Sequence, residues 1–259
     1  MIGIFDSGVG GMTVMREITN LLPDLPTCYL GDLARMPYGS KSDSAIIDYS
    51  VENTNFLIDQ GAKLIIVACN SASAVATGKL REQFKVPILE VITPAVHEAL
   101  ARSEKGRIGV IGTRATIRSG SYEQQITALK PGFKTYSAAC PLLVPLVEEG
   151  FTNARETKMI LRRYLSTLRH KQIDALILGC THYPLLKKLI QPRIGKRVHL
   201  VDPAEAMARY LQTFLHDHPN LWDSIEKTAE HRYCVTDLTD STQRIADTIF
   251  QRPIEFTRL

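Results

Sequence analysis

Short apolar runs, too brief for helices, recur along this chain, and each is bounded by glycine, proline or a polar residue. They are IGIF (Ile2 to Phe5), TCYL (Thr27 to Leu30), LIIVA (Leu64 to Ala68), ILEVI (Ile88 to Ile92), RIGVIG (Arg107 to Gly112), ALILG (Ala175 to Gly179) and VHLV (Val198 to Val201). A run that is apolar at successive positions, rather than alternate ones, reads as a strand covered on both faces. That is the condition of a parallel sheet with helices above and below it. The longer segments between the runs carry helical spacing: after DPAEA, Met207, Leu211, Phe214 and Leu215 share one face, and Asp202 and Pro203 suit the cap and the first helical position. Strands and helices in alternation predict a doubly wound α/β fold. In such sheets ligands bind beyond the carboxyl ends of the strands.

The first and fifth runs begin alike, as IGIFDSGVGGMT from Ile2 and IGVIGTRATIRS from Ile108. Two later runs end alike, LIIVACNSAS passing into Cys69 and LILGCTHYP into Cys180. Ile2 lies 67 residues before Cys69, and Ile108 lies 72 residues before Cys180. The chain therefore reads as two similar halves, each with one cysteine at a matching strand end. If the halves face each other across a cleft, the two thiols approach one ligand from opposite sides.

Composition excludes several classes. At 259 residues, 44% hydrophobic and 22% charged, the chain can bury one large core or two modest ones. Its 31 basic and 27 acidic residues give a net charge of +4 with no long basic run, so neither nucleic acid nor a membrane surface is indicated as a partner. No apolar window is long enough to span a bilayer, and MIGIFDSG lacks the features of a signal peptide; the expected location is the cytoplasm. The five cysteines, Cys28, Cys69, Cys140, Cys180 and Cys234, are odd in number and form no CxxC pair. Neither a disulfide framework nor a zinc site is expected.

Free cysteine is commonly a buried hydrophobe, and Cys28, Cys140 and Cys234 are read that way. Cys69 and Cys180 differ because each ends an apolar run and is followed by polar residues, Asn70 with Ser71 and Thr181 with His182, which a core would have to satisfy. Asp6 closes IGIF; it could cap a turn, but its strand-end position favours function. His182 has no second histidine or carboxylate at ligand spacing, so no metal is expected. Glu148 is either a helper or a solvated residue near a helix end. The turn DSGVGG (Asp6 to Gly11) lacks both GxGxxG spacing and a GK[ST] ending, and it suits a carboxylate as well as a phosphate. Inverting a carbon stereocentre requires one group to remove a proton from one face and another to return one to the opposite face. Two thiols of ordinary pKa about 8.5, tunable by neighbours, meet that need.

DSGVGG, PYG (Pro37 to Gly39), CNSAS (Cys69 to Ser73), GTRAT (Gly112 to Thr116), CPLLVPLVEEG (Cys140 to Gly150) and GCTHYP (Gly179 to Pro184) resemble the glutamate racemases, in order and over nearly the whole chain. The resemblance implies cofactor-independent interconversion of L- and D-glutamate, supplying D-glutamate for peptidoglycan. It further implies two pseudo-symmetric α/β domains with mostly parallel sheets and the active site in the cleft between them. Matched motif to motif, Cys69 would be the base for D-glutamate, assisted by Asp6. Cys180 would be the base for L-glutamate, assisted by His182 and Glu148. Substrate contacts carry over onto Asp6, Ser7, Tyr38, Gly39, Asn70, Ser71, Thr113, Thr116, Thr181 and His182. Ser71 departs from the family's more frequent threonine, which bears on fit rather than chemistry. The chain begins just before its first strand, so activation by a peptidoglycan precursor through an N-terminal extension is not expected. Repeat and resemblance together place the first domain at 1–92 plus 207–259 and the second at 93–206, with a homodimer conceivable through an exposed apolar helix face. Three competing activities remain open: a racemase for aspartate or another small dicarboxylic acid, a thiol hydrolase or amidotransferase, and a module that binds glutamate without turnover. The hydrolase would need one cysteine with an oxyanion hole, and neither a second symmetric cysteine nor the missing GxCxG turn favours it.

Overall fold

The computed structural model describes residues 1–259, and all ten strands lie in two parallel sheets. They are β1 (Ile2–Asp6), β2 (Thr27–Gly31), β3 (Leu64–Val67), β4 (Ile88–Glu90), β5 (Arg107–Gly112), β6 (Lys134–Ala139), β7 (Ala175–Gly179), β8 (His199–Val201), β9 (His231–Val235) and β10 (Thr257–Arg258). The first sheet has the order β10-β9-β2-β1-β3-β4 and the second β6-β5-β7-β8. Every pairing is parallel. The order β2-β1-β3-β4 in one sheet is repeated as β6-β5-β7-β8 in the other, so the repeat read from IGIF and IGVIG is a repeat of topology. No helix is long and apolar enough to cross a membrane.

All seven apolar runs contain strands; six are buried nearly throughout by cover on both faces, while β8, at the edge of the second sheet, is half-buried at His199 and Leu200. One face of the first sheet packs on helices Met12–Leu21, Pro203–Asp217 and Asp240–Phe250, with Ile2, Ile4, Leu64 and Ile66 pointing towards them. The other face, through Phe5, Leu30, Ile65 and Val67, meets helices Asp43–Asp59 and Asn70–Gln83. The second sheet is enclosed likewise by Arg155–His170 and Lys187–Ile194 on one side and by Ile92–Arg102 and Ser121–Leu129 on the other. Asp202 does cap the helix that Pro203 opens, its Oδ1 accepting from the Ala204 N–H at 2.9 Å, and Met207, Leu211 and Leu215 are buried. The run ILEVI is shorter as a strand than its apolarity suggests. It stops at Glu90, whose carboxylate accepts the N–H groups of Ile92 (2.5 Å) and Thr93 (2.9 Å) and so starts the helix Ile92–Arg102.

This topology fixes where a ligand can sit. In each sheet the first strand lies between the second and third, so the chain crosses to opposite sides of β1 and of β5. The crevice at such a switch point opens beyond the carboxyl ends of the central strands. Residues following β1 and β3, and β5 and β7, are therefore the ones presented: Ser7, Cys69, Thr113 and Cys180.

Candidate active site

Those four residues line one small pocket, together with Met36, Pro37, Tyr38, Gly39, Asn70, Ser71, Val144, Glu148, Thr181 and His182. Both cysteines are nearly buried, with 4% of Cys69 and 6% of Cys180 exposed. Cys28, Cys140 and Cys234 are also buried but lie in the hydrophobic clusters and do not line the pocket. No three His, Cys, Asp or Glu side chains come together in a geometry that could hold a metal.

The two thiols have different surroundings. Cys69 occupies the N-cap position of the helix Asn70–Gln83, and its Sγ lies 3.6 Å from Ser7 Oγ. Burial, then the Asp6 carboxylate, push its pKa up to about 12, against smaller opposing effects from the helix amide of Ala72 and from Ser7. Cys69 therefore rests as a thiol. Asp6 is 1% exposed and sits behind the pocket wall rather than in it. Its Oδ2 accepts from the Gly8 N–H at 3.0 Å and its Oδ1 from the Thr181 hydroxyl at 3.3 Å, so it ties the glycine-rich turn to the Cys180 loop. Burial raises its pKa, while the charge of His182 and these hydrogen bonds hold the rise in check. The turn is pinned from the other side by Tyr29, whose hydroxyl donates to Gly8 O at 2.5 Å.

Beside Cys180 stands an imidazole. His182 Nδ1 lies 3.9 Å from Cys180 Sγ, and Nε2 lies 3.1 Å from Glu148 Oε1. The latter contact is close but poorly aligned for a hydrogen bond, and neither atom has another partner. Burial alone would lower the His182 pKa; the proximity of the Cys180 sulfur and of the Glu148 carboxylate outweighs burial and holds it up to about 10. An imidazolium at that position supplies the charge that a Cys180 thiolate would pair with. Glu148 is thus a pocket residue rather than a solvated helix end.

The remaining residues supply neutral donors. Ser71 Oγ and Thr113 Oγ1 are 2.8 Å apart, and Thr113 Oγ1 is 3.0 Å from Thr116 Oγ1. Thr116 is 1% exposed and stands behind Thr113, not in the pocket lining. The Tyr38 hydroxyl faces away, donating to Asp32 and accepting from Asn53 Nδ2 at 3.0 Å, which leaves the backbone of Tyr38 and Gly39 for the pocket. The pocket holds no lysine or arginine; apart from the His182 imidazolium, hydroxyls, the Asn70 amide and the N–H groups of a helix start are the donors offered to an anion. Met36, Pro37 and Val144 were not expected in the pocket: Pro37 and Val144 fall within the quoted motifs, but an apolar residue gives no sign in the sequence of whether it faces ligand or core.

This arrangement places two thiols in the lining of one small, donor-rich pocket. A family model described as Asp/Glu/Hydantoin racemase matches residues 2–211. A glutamate racemase of Geobacter metallireducens is 45% identical over 246 residues, covering 95% of this chain and 91% of its own. Among solved structures, a glutamate racemase isoform from Bacillus anthracis superposes with a TM-score of 0.94 at 36% identity, covering 100% of this chain and 97% of its own. That of glutamate racemase from Francisella tularensis in complex with D-glutamate gives 0.91 at 36% identity, covering 100% and 96%. The chain belongs to the Asp/Glu/Hydantoin racemase family, and it is an amino-acid racemase.

Proposed function

We propose that the substrate is glutamate and that Cys69 and Cys180 interconvert its enantiomers without a cofactor, supplying D-glutamate for peptidoglycan in the cytoplasm. The observation that carries this reading is the pair of cysteines at equivalent strand ends, both lining one pocket that holds neutral donors for carboxylates. The solved relative in complex with D-glutamate, alike over 96% of its own length, supports the choice of substrate. The division of the chain into 1–92 with 207–259, and 93–206, belongs to the same proposal.

In the L-to-D direction Cys180, paired with the His182 imidazolium, takes the α-proton. The electron pair left on carbon spreads into the α-carboxylate, where hydrogen bonds strengthen as charge develops. Cys69, resting as a thiol, delivers its own proton to the opposite face, so one S–H bond is made and one is broken. The reverse reaction exchanges the roles. Asp6 assists Cys69 from behind the pocket wall, through the turn and loop it braces, and Glu148 assists Cys180 through the charge it sets beside His182.

Incubating the protein in D₂O with L-glutamate, D-glutamate or L-aspartate, and following the α-proton by NMR, tests the assignment. Loss of the α-proton signal with both glutamate enantiomers, and far slower loss with aspartate, is expected. Binding without exchange would refute racemisation, and faster exchange with aspartate would refute the substrate.

A further inference from the structure

Asn70 directly follows Cys69, lines the pocket and is 2% exposed. Its amide nitrogen Nδ2 is buried and has no hydrogen-bond partner in the protein. The oxygen of the same amide is taken: Oδ1 accepts from the Tyr122 hydroxyl at 2.6 Å. Buried polar atoms are almost always satisfied, so an orphaned NH₂ in a ligand pocket marks a donor waiting for an acceptor.

Tyr122 reaches Asn70 from the other sheet. It stands on the helix Ser121–Leu129, with its ring among Ile92, Val96 and Ile126. Its edge also occupies the space over Gly179, where a Cβ would come within 3.2 Å of Tyr122 Cε2 and 2.8 Å of the Ile111 carbonyl oxygen. Gly179 immediately precedes Cys180. One tyrosine thus touches the residue after the first cysteine and the residue before the second. The neighbouring Ser121 adds a bond in the same direction, donating to the Ala74 carbonyl at 3.0 Å.

We propose that Tyr122 is a positioning residue that holds the Asn70 amide with its NH₂ directed at a substrate carboxylate. A freely turning amide would present its oxygen to the anion half of the time. With the amide reversed, the Tyr122 hydroxyl proton would lose its only acceptor and the Asn70 oxygen would face the carboxylate, two penalties that both favour the observed orientation. Burial and the nearby Glu90 push the Tyr122 phenol well above its ordinary pKa, so the hydroxyl remains a donor throughout the working range. The residue was hidden in the sequence because SGSYEQQI has the spacing of an ordinary amphipathic helix.

The proposal rests on the glutamate reading and is tested with Tyr122→Phe, Asn70→Ala and the double variant. With the side-chain carboxylate, which takes up no charge during reaction, as the group held, the NH₂ grips it equally before and during the chemistry, so Tyr122→Phe should raise KM for both enantiomers about tenfold, the worth of one hydrogen bond, while kcat stays within about twofold. Asn70→Ala should raise KM at least as much, and Tyr122→Phe should then add nothing further. A purely structural tyrosine would instead lower kcat or the fraction of folded enzyme at unchanged KM. An unchanged KM in Tyr122→Phe, or additive effects in the double variant, overturns the proposal while wild-type turnover of glutamate leaves the proposed function standing. Wild type that fails to exchange either glutamate enantiomer refutes both.

Discussion

Gly10 is where the loops of the two sheets meet most tightly. A Cβ on Gly10 would stand 2.4 Å from Thr181 Oγ1, 2.5 Å from His182 Nδ1 and 2.6 Å from His182 Cε1. Ordinary contact begins at 3.4 Å, so Gly10→Ala forces a retreat of about 1 Å on one side or the other. The Cys180 loop has little slack: the Thr181 hydroxyl is bound to Asp6 and its carbonyl accepts from Thr13 Oγ1 at 3.3 Å. The imidazole must therefore shift from its 3.9 Å contact with Cys180, or the loops must part. Overpacking of this kind costs about 1–3 kcal/mol, and each kcal/mol lowers Tm by roughly 2–4 °C in a chain of this size. A displacement of about 1 Å among reacting groups costs on the order of a hundredfold in rate, so kcat/KM for glutamate should fall by about that factor and Tm by several degrees. Circular dichroism of the product enantiomer gives the rate, and thermal melts give Tm. Gly78→Ala is the control, because a Cβ there meets nothing within 4 Å on an exposed helix position. It should keep full activity and gain roughly 0.5–1 kcal/mol from helix propensity. Activity of Gly10→Ala within about threefold of wild type would refute the steric reasoning.

Cys69→Ser and Cys180→Ser should each lower racemisation by about 10²- to 10⁴-fold, the usual worth of a general acid or base, whereas Cys28→Ala should retain it; near-wild-type rates in either serine variant would end the paired-thiol assignment. The raised His182 pKa also has a stability consequence. Its contribution is fully present below the ordinary value of 6.5 and is lost as pH rises towards about 10. The difference in urea unfolding free energy between wild type and His182→Asn should therefore shrink from pH about 6 to pH about 9.5, and a difference that widens would refute it. His182→Asn should slow α-proton exchange from L-glutamate first, and Asp6→Asn from D-glutamate first. Because a catalyst cannot alter the equilibrium, the kcat/KM ratio of the two directions stays fixed and the bias appears in exchange or in kcat and KM separately; equal losses from both enantiomers in both variants would sink the division of labour.

Central strands and the positions after them were readable because a strand buried on both faces must be apolar at every residue, and a parallel sheet presents only its carboxyl ends to ligand. KTYSAA, β6, escaped notice for the converse reason: it is the edge strand of the second sheet, its residues half-buried or exposed, so it needs no apolar run. HRYCV was read only as part of a segment returning to the first half, although it is a full strand beside β2. Within the site, residue type was legible but direction was not. Tyr38 turns its hydroxyl to Asp32 and Asn53, Thr116 stands behind Thr113, and Asp6 braces two loops from behind the pocket. Such directions depend on partners distant in sequence: 175 residues separate Asp6 from Thr181.

A repeated topology brings two equal thiols to one pocket, and unequal neighbours decide where the proton starts. Burial and Asp6 keep it on Cys69, while an imidazolium, not a carboxylate, stands beside Cys180. On the two-thiol reading, the resting protein is therefore set to accept a proton from the L enantiomer. After one turnover in that direction the charges stand reversed, with a thiolate next to the Asp6 carboxylate and a neutral thiol next to an imidazolium. That state is electrostatically uphill, and it relaxes either by taking a proton from D-glutamate or by returning one between the thiols through the pocket. The free enzyme thus has two forms of unequal energy. On the same reading, their interconversion is a required step of repeated net turnover from L-glutamate, alongside the α-proton transfer itself.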